Sequence, residues 1–454
     1  MRRMRAKAKS LLKEGVDRLP PKAKAAVLAA ASAAREGQPP PPSREITFPS
    51  DVADRESLRE YLADTDIFGA AEAEARGYLF DALDRFRITM ALLPPGLAPG
   101  ARVLELGANP YFLTRLLIKR GYKVTCANYF GEDYAGPNVQ VVSGQRTGER
   151  HEFEFDHFNI ERDPFPYPDD SFDLVLCCEI LEHLPSDPIH MLAEISRVTA
   201  PGGSLLLTTP NATRATNLLR IMAGENPYEE MSGYGTYGRH NREYTVNELR
   251  LLLDALGYAV DDVFAIDIHD DLPGVPALPG IDQADRGDNL FALARPVDGP
   301  RWRYPSWLYA SRHALKRMVL PEVRCGYNDE VQARGLHDAE RFGESGDWAC
   351  WTAADSADFA VQPTGATVTV EGWAPPPGVP GPVKLSVDVA GVTIASTELA
   401  CDGAPFTVTA SAPDGLADGP VEVVVTVPTW SPAELGMSGD TRRLGVAVRR
   451  VAIA

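Results

Sequence analysis

A chain of 454 residues is too long for one ordinary domain, and at about 150 residues per domain it calls for about three units. Its 44% hydrophobic and 24% charged residues exclude a largely disordered or collagen-like chain, and no apolar run approaches the ~18–20 residues of a membrane-spanning helix. A formal net charge of −18 argues against a general nucleic-acid binder, because neutralising phosphates needs a basic face.

The charge is unevenly spread. Residues 1–35 hold ten Lys/Arg against Glu14 and Asp17, a net of +8, so the rest carries −26. MRRMRAKAKS has the look of a secretory n-region, but LLKEGVDRLPPKAK breaks any apolar core with charges and prolines, so no signal peptide is expected. Met4, Leu11, Leu12 and Leu19 share one side of a short basic helix, which suits either contact with an anionic membrane surface or a solvated leader. EGQPPPPSRE (36–45) is a stiff proline-rich spacer. Six cysteines without a C-x-x-C pair fit a reducing, cytoplasmic setting, and the basic leader suits a place at the inner face of the membrane.

Residues 51–95 read as helical, closing at Pro94-Pro95-Gly96. From 101 to 296, short β-branched runs (ARVLELG, YKVTCAN, FDLVLCC, GSLLLTTP) alternate with helical stretches, which implies a largely parallel sheet covered on both faces. Residues 297–330 read as a connecting helical segment. Beyond it, ATVTVEG, VKLSVDVA, VTIASTE, FTVTAS, VEVVVTV and LGVAVRRVAI are alternating strands between Gly/Pro/Asp turns, the pattern of an all-β sandwich or jelly roll. The expected units are thus a leader and linker (1–45), an α/β domain with a helical lead-in (46–296), the connector, and a β-sandwich (331–454).

VLELGANPYFLTRLL places a strand, a turn at Gly107 and a helix start near Tyr111. Gly107 lets backbone approach a ligand, and the N–H groups of the helix start favour a carboxylate. The stretch resembles motif I of the class I S-adenosylmethionine-dependent methyltransferases, which have a Rossmann-like fold. Asn109 and Tyr111 stand where that family has its later glycines. Strand YKVTCAN ends at Asn128, where the family usually has an acid, and Glu132 or Asp133 are substitutes for it. FNIERDPFPYPDDSFDLVLCCEILEHL is similar to the family's adenine-binding turn and fourth strand, with Asn159 at the position of a common Asp, and Pro201-Gly202-Gly203 leads into the fifth. The resemblance covers residues 80–296. It implies that Glu105, Gly107, Ala108 and Asn109 hold the amino-acid part of S-adenosylmethionine. Asn128 then faces the ribose, Asn159 and Ile160 the adenine, and Glu179 the cofactor's edge.

E-I-L-E-H (179–183) lies at the mouth between cofactor and acceptor, where His183 has the intrinsic pKa of a general base. His240 follows in GTYGRHNREYTVNEL. Two glutamates and a histidine, then a lone histidine before the next helix, resemble the metal site of the ubiquinone-biosynthesis O-methyltransferases and the small-RNA 2′-O-methyltransferases. The resemblance implies Glu179, Glu182, His183 and His240 as ligands of Mg²⁺, Mn²⁺ or Zn²⁺, with His183 and His240 as the catalytic pair. The other reading makes Arg239, His240, Arg242, Glu243 and Tyr244 a polar lid. Residues 212–245, rich in Tyr, Gly, Asn and Arg, suit a sugar- or polyol-binding loop or an ordinary surface loop.

GLHDAERFGESGDWACWT and SPAELGMSGDTRRLGVAVRR, flanking the β region, resemble the ends of an accessory β-sandwich fused to proteins of bacterial surface-polysaccharide assembly. Trp348, Trp351, Trp373 and Trp430 suit sugar stacking or an aromatic core. The expected function is O-methylation of a glycan, nucleotide sugar or lipid-linked sugar. The alternatives are a small aromatic or quinone-like acceptor, and a non-catalytic glycan-binding scaffold.

Overall fold

The change of sequence grammar near residue 300 is a physical division: the chain forms two units, Met1–Gly299 and Pro300–Ala454. The computed structural model describes residues 44–66, 72–144, 146–228, 235–268, 285–303, 305, 308, 319–343, 345–416 and 419–454. The basic leader, its membrane contact and most of the spacer lie outside the described residues. Among the described residues no helix is long and apolar enough to cross a membrane.

In the first unit, α1 (Arg55–Ala63) and α2 (Glu72–Ala91) precede the sheet. Asp54 starts α1 by accepting from the backbone of Glu56 and Ser57, the usual role of an N-cap carboxylate. Next come β1 (Arg102–Leu106), α3 (Phe112–Lys119), β2 (Lys123–Asn128), β3 (Val139–Ser143), β4 (Arg150–His157) and β5 (Phe172–Cys178). The unit ends with α4 (Ile189–Val198), β6 (Thr199–Pro210), α5 (Ala215–Ala223), α6 (Val246–Ala255), β7 (Tyr258–Ile266) and β8 (Asn289–Pro296).

The strands lie in the order β3-β4-β2-β1-β5-β6-β8-β7. The run from β4 to β6 is parallel, whereas β3 and β8 run against their neighbours. This is a Rossmann-like mixed sheet. In β1 every residue after Arg102 is buried, as a central strand between two helical layers requires. Leu62, Leu83 and Phe86 from the lead-in helices and Leu116 and Leu117 from α3 pack on Val103, Leu174 and Leu206, forming one of those layers. The order reverses at β1, with β2 on one side and β5 on the other. A crevice therefore opens outside the carboxyl ends of these strands. The helix expected before NELRLLL is α6, started by a reciprocal bond pair between Thr245 and Glu248.

The second unit has β9 (Glu322–Arg324), β10 (Ala333–Arg334), β11 (Glu340–Phe342), β12 (Asp347–Trp351), β13 (Ser356–Val361), β14 (Thr367–Trp373) and β15 (Val383–Val389). They are followed by β16 (Val392–Leu399), β17 (Pro405–Ser411), β18 (Val421–Thr426) and β19 (Ala447–Ile453). One antiparallel sheet is β10-β13-β18-β15-β16 and the other β11-β12-β19-β14-β17, with β9 also on β19. Val368, Val370, Val448 and Val451 from one sheet meet Phe359, Leu385, Val387 and Val423 from the other in a single core, which makes this an all-β sandwich. All six runs read from the sequence are strands of it. The described end of the expected connector is part of it too, because β9 pairs with β19. Trp430 is buried with Val379 and Leu444, and Trp351 packs edge-on against it; Trp373 stacks on Phe342. These contacts are those of an aromatic core. All six cysteines are free.

Candidate active site

At the carboxyl ends of β1, β2 and β5 the first unit holds a cavity of about 590 Å³, within the range of small-molecule sites. Gly107, Asn109, Asn128, Asn159, Ile160, Glu179 and His183 line it. Gly107 has φ +67°, and a Cβ there would lie 2.4 Å from Ile180 Cδ1. The turn therefore needs a residue without a side chain.

The later glycine position at Tyr111 keeps a left-handed backbone (φ 66°) although it carries a side chain. Such a conformation costs on the order of 1–3 kcal/mol unless the surroundings hold it. Here the ring is fully buried and stacks on Phe153 at 4.7 Å. Its hydroxyl accepts from Asn128 Nδ2 (3.0 Å) and contacts Gln140 Oε1. Asn128 Oδ1 accepts the Asn109 N–H (3.0 Å), and Asn109 Nδ2 donates to Gln140 (3.1 Å). Packing and a neutral amide network thus hold this turn. Asn128 spends its amide largely on the turn, leaving one lone pair of Oδ1 for a ligand hydroxyl. Gln140, on β3, also lines the cavity and was not read from the sequence; the alternation of VQVVS before HEFEF was its only signal. Glu132 pairs with Arg162 and Tyr129 and is not in the wall.

Glu105 and Ala108, expected as cofactor contacts, are buried and are not among the residues that line the cavity. Strand β1 turns the Glu105 side chain inward, where Thr114 Oγ1 donates to it at 2.6 Å. Burial pushes its carboxyl up to about 8, against the lowering effect of the Thr114 bond. A carboxyl raised on folding binds more protons folded than unfolded. Its contribution is therefore lost as pH rises from the ordinary carboxylate range, about 4.5, to about 8, at up to about 1.4 kcal/mol per pH unit. Glu105→Gln is expected to gain stability relative to the parent between pH 5 and pH 8, measured from urea midpoints. Parallel pH profiles would refute this.

At the other end, Glu179 follows β5 with φ 55°. Its Oε2 makes a 2.6 Å ion pair with buried Arg85 from α2, and Oε1 accepts from Thr208 Oγ1 (2.8 Å) and Asn289 Nδ2 (2.9 Å). Arg85 also bonds the hydroxyl of Tyr78, which lines the cavity. Burial disfavours the Arg85 charge, but Glu179 outweighs it and the guanidinium stays above its ordinary range. With both oxygens engaged, Glu179 is not a member of the metal-ligand set, a correction to the four-ligand expectation.

The other three expected ligands do come together. Glu182, His183 and His240 each offer an atom within 4.8 Å of the others. Glu182 is fully buried; Thr209 Oγ1 donates to its Oε2 at 2.9 Å, while Oε1 has no hydrogen-bond partner. His183 Nε2 and His240 Nε2 lie 3.8 and 4.0 Å from that oxygen. Behind them, His183 Nδ1 bonds the Arg239 carbonyl (3.0 Å) and His240 Nδ1 bonds Glu243 Oε1 (3.3 Å). Such partners turn the Nε2 lone pairs inward, the arrangement of metal-ligating histidines. Burial, and then the charge of Glu179, push the Glu182 carboxyl well above the ordinary range. Arg214 and Asn217, at the start of α5, hold Glu243 from the far side.

Residues 72–263 match a family described as a methyltransferase domain. The match covers less than half of the chain. The chain is 28% identical over 167 residues to the ubiquinone biosynthesis O-methyltransferase of Aeromonas salmonicida, covering 37% of this chain and 66% of that protein. The enzyme of the same name from Xanthomonas campestris pv. campestris is 32% identical over 127 residues, covering 28% and 50%. The chain thus spans between half and 66% of the length of these relatives. A solved S-adenosylmethionine-dependent methyltransferase from Mesorhizobium loti is 18% identical with a TM-score of 0.30, covering 47% of this chain and 97% of its own. The matched residues lie wholly in the first unit and include both the cavity wall and the Glu182–His183–His240 cluster.

Proposed function

We propose that this protein is an S-adenosylmethionine-dependent O-methyltransferase acting on a small hydroxylated aromatic or quinone-like acceptor, with a divalent cation held by Glu182, His183 and His240. The observation that carries this reading is the buried, partnerless Oε1 of Glu182 with two imidazole Nε2 atoms turned towards it. A carboxylate so placed is costly unless a cation compensates it.

The wall residues suit the cofactor. Gly107 clears the space beside Ile180, Asn128 offers a ribose contact, and Asn159 and Ile160 stand at the adenine end. S-adenosylmethionine supplies an electrophilic methyl group on a sulfonium centre, and a divalent cation supplies Lewis acidity that lowers the pKa of an acceptor hydroxyl. The protein's part is positioning: His183, in both the cluster and the cavity wall, sets an acceptor oxygen beside the methyl-transfer end. Glu182, His183 and His240 would hold the cation, and it would supply attraction for the hydroxyl oxygens of a catechol-like ring. The names of the relatives weigh in the same direction, and saccharides become the competing arm of the test.

The test uses S-adenosylmethionine with a labelled methyl group and a panel of catechols, hydroxylated quinone precursors, nucleotide sugars and oligosaccharides. Label is expected in the catechols and quinone precursors, to be lost on chelation and restored by Mg²⁺, Mn²⁺ or Zn²⁺. Label found only in saccharides would overturn the acceptor class. Turnover indifferent to chelation would overturn the cation site.

A further inference from the structure

At the adenine end of the cavity, this chain has Asn159 where the resembled family commonly has Asp. An aspartate only accepts hydrogen bonds. An asparagine offers an acceptor and a donor of almost equal shape, and its neighbours decide which one a ligand meets.

We propose that Tyr237 is the positioning residue that settles this choice, holding Asn159 with Oδ1 available to the ligand so that the pocket selects a 6-amino purine over a 6-oxo purine. The inference rests on the S-adenosylmethionine reading above. It follows from a chain of donors and acceptors that closes in one way. Glu161 Oε1 accepts two backbone N–H groups, from Ser186 at 2.6 Å and Asp187 at 2.9 Å. Its Oε2 accepts the Tyr237 hydroxyl proton at 3.0 Å. With its only proton spent, the Tyr237 oxygen can only accept towards Asn159, whose Nδ2 donates to it at 2.9 Å. Asn159 Oδ1 then takes the Glu161 N–H at 3.0 Å and keeps one lone pair. Flipping the amide would set Nδ2 against that N–H and Oδ1 against the spent hydroxyl. Two hydrogen bonds would become two repulsions in a residue 1% exposed.

Tyr237 belongs to the short turn Thr236–Gly238, whose continuation carries His240. Asn241 pins that continuation to the reaction end, donating its backbone N–H to the Glu182 carbonyl (2.7 Å) and its Nδ2 to the His183 carbonyl (2.8 Å). One loop therefore orients the base-reading amide and holds the cation-site histidine.

The test is calorimetric titration of the full chain with S-adenosylhomocysteine and S-inosylhomocysteine. The parent is expected to prefer the adenosyl compound about tenfold or more, since a 6-oxo group would face an acceptor. Tyr237→Phe should shrink that ratio, because it removes one of the two contacts that hold the amide and leaves only the Glu161 N–H. Tyr237→Phe combined with Asn159→Asp should restore it, because a carboxylate has no donor to present. Glu161→Gln reaches the same loss by a separate route. With its amide oxygen held by the two backbone N–H groups, the glutamine must donate to Tyr237, which turns the hydroxyl proton onto Asn159. A variant that weakens both ligands equally and keeps the ratio would overturn the inference, as would a parent ratio near one. A parent that binds neither ligand would instead bring down the cofactor reading, and the inference with it.

Discussion

Glu182→Gln is expected to lower kcat for methyl transfer to a catechol acceptor by about 10²–10⁴-fold, while S-adenosylhomocysteine binds about as tightly as to the parent. Glutamine keeps the volume of the side chain and the bond from Thr209, but cannot take the negative charge that would hold a cation between the two imidazoles. Binding should survive because Glu182 is not in the cavity wall, which Gly107, Asn128 and Asn159 supply. Glu243→Gln weakens only the outer partner of His240, and its expected cost is smaller, about 10–100-fold, because it orients a ligand without being one. Steady-state kinetics with metal analysis of each purified variant checks both. Unchanged turnover in Glu182→Gln would remove the cluster from the chemistry, and equal losses in the two variants would make Glu182 no more than a support.

Arg85→Met is expected to destabilise the first unit by about 3–5 kcal/mol, the usual cost of stranding one partner of a buried ion pair. The side chains of Arg85 and Glu179 are only 6% and 14% exposed, so little water can take over the lost partner. Thr208 and Asn289 would still donate to Glu179, but neither carries a charge. The double variant Arg85→Met, Glu179→Gln should regain most of the loss, because no buried charge is then left alone. All six tryptophans lie at or beyond residue 302, so their fluorescence reports on the second unit. Urea unfolding followed by far-ultraviolet circular dichroism is the suitable measurement, because every α-helix longer than four residues among the described residues is in the first unit. A single variant as stable as the parent would mean that the pair contributes nothing net. A double variant no better than the single would mean that Arg85 acts through packing.

Arg85 and Glu179 also show where reading the sequence reached its limit. Glu179 and Glu182 sit three positions apart in one short segment and looked equivalent as ligands. They part company because Glu179, at the strand end, meets α2 and the neighbouring strands β6 and β8, while Glu182 sits in the next turn under residues 239–243. Asn128 and Tyr111 teach the same lesson from the other side. Read singly, they weakened the resemblance to a glycine-rich turn. Packed together with Gln140, they rebuild that turn from side-chain contacts.

What the sequence determined by itself was whatever a contiguous run can encode. Alternation of period two marked the six sandwich strands. Buried β-branched runs separated by helices marked the parallel sheet. One obligatory glycine after β1 marked the cavity. These signals are local because backbone geometry and solvent exposure repeat along each element. The tertiary structure alone decided how the polar groups were spent: Glu179 on Arg85, Asn159 on Tyr237, and Glu182 on Thr209 with two imidazoles facing it. Hydrogen bonds and ion pairs take their worth from desolvation and from partners within about 3 Å. Only the folded chain brings such partners together from distant parts of the sequence.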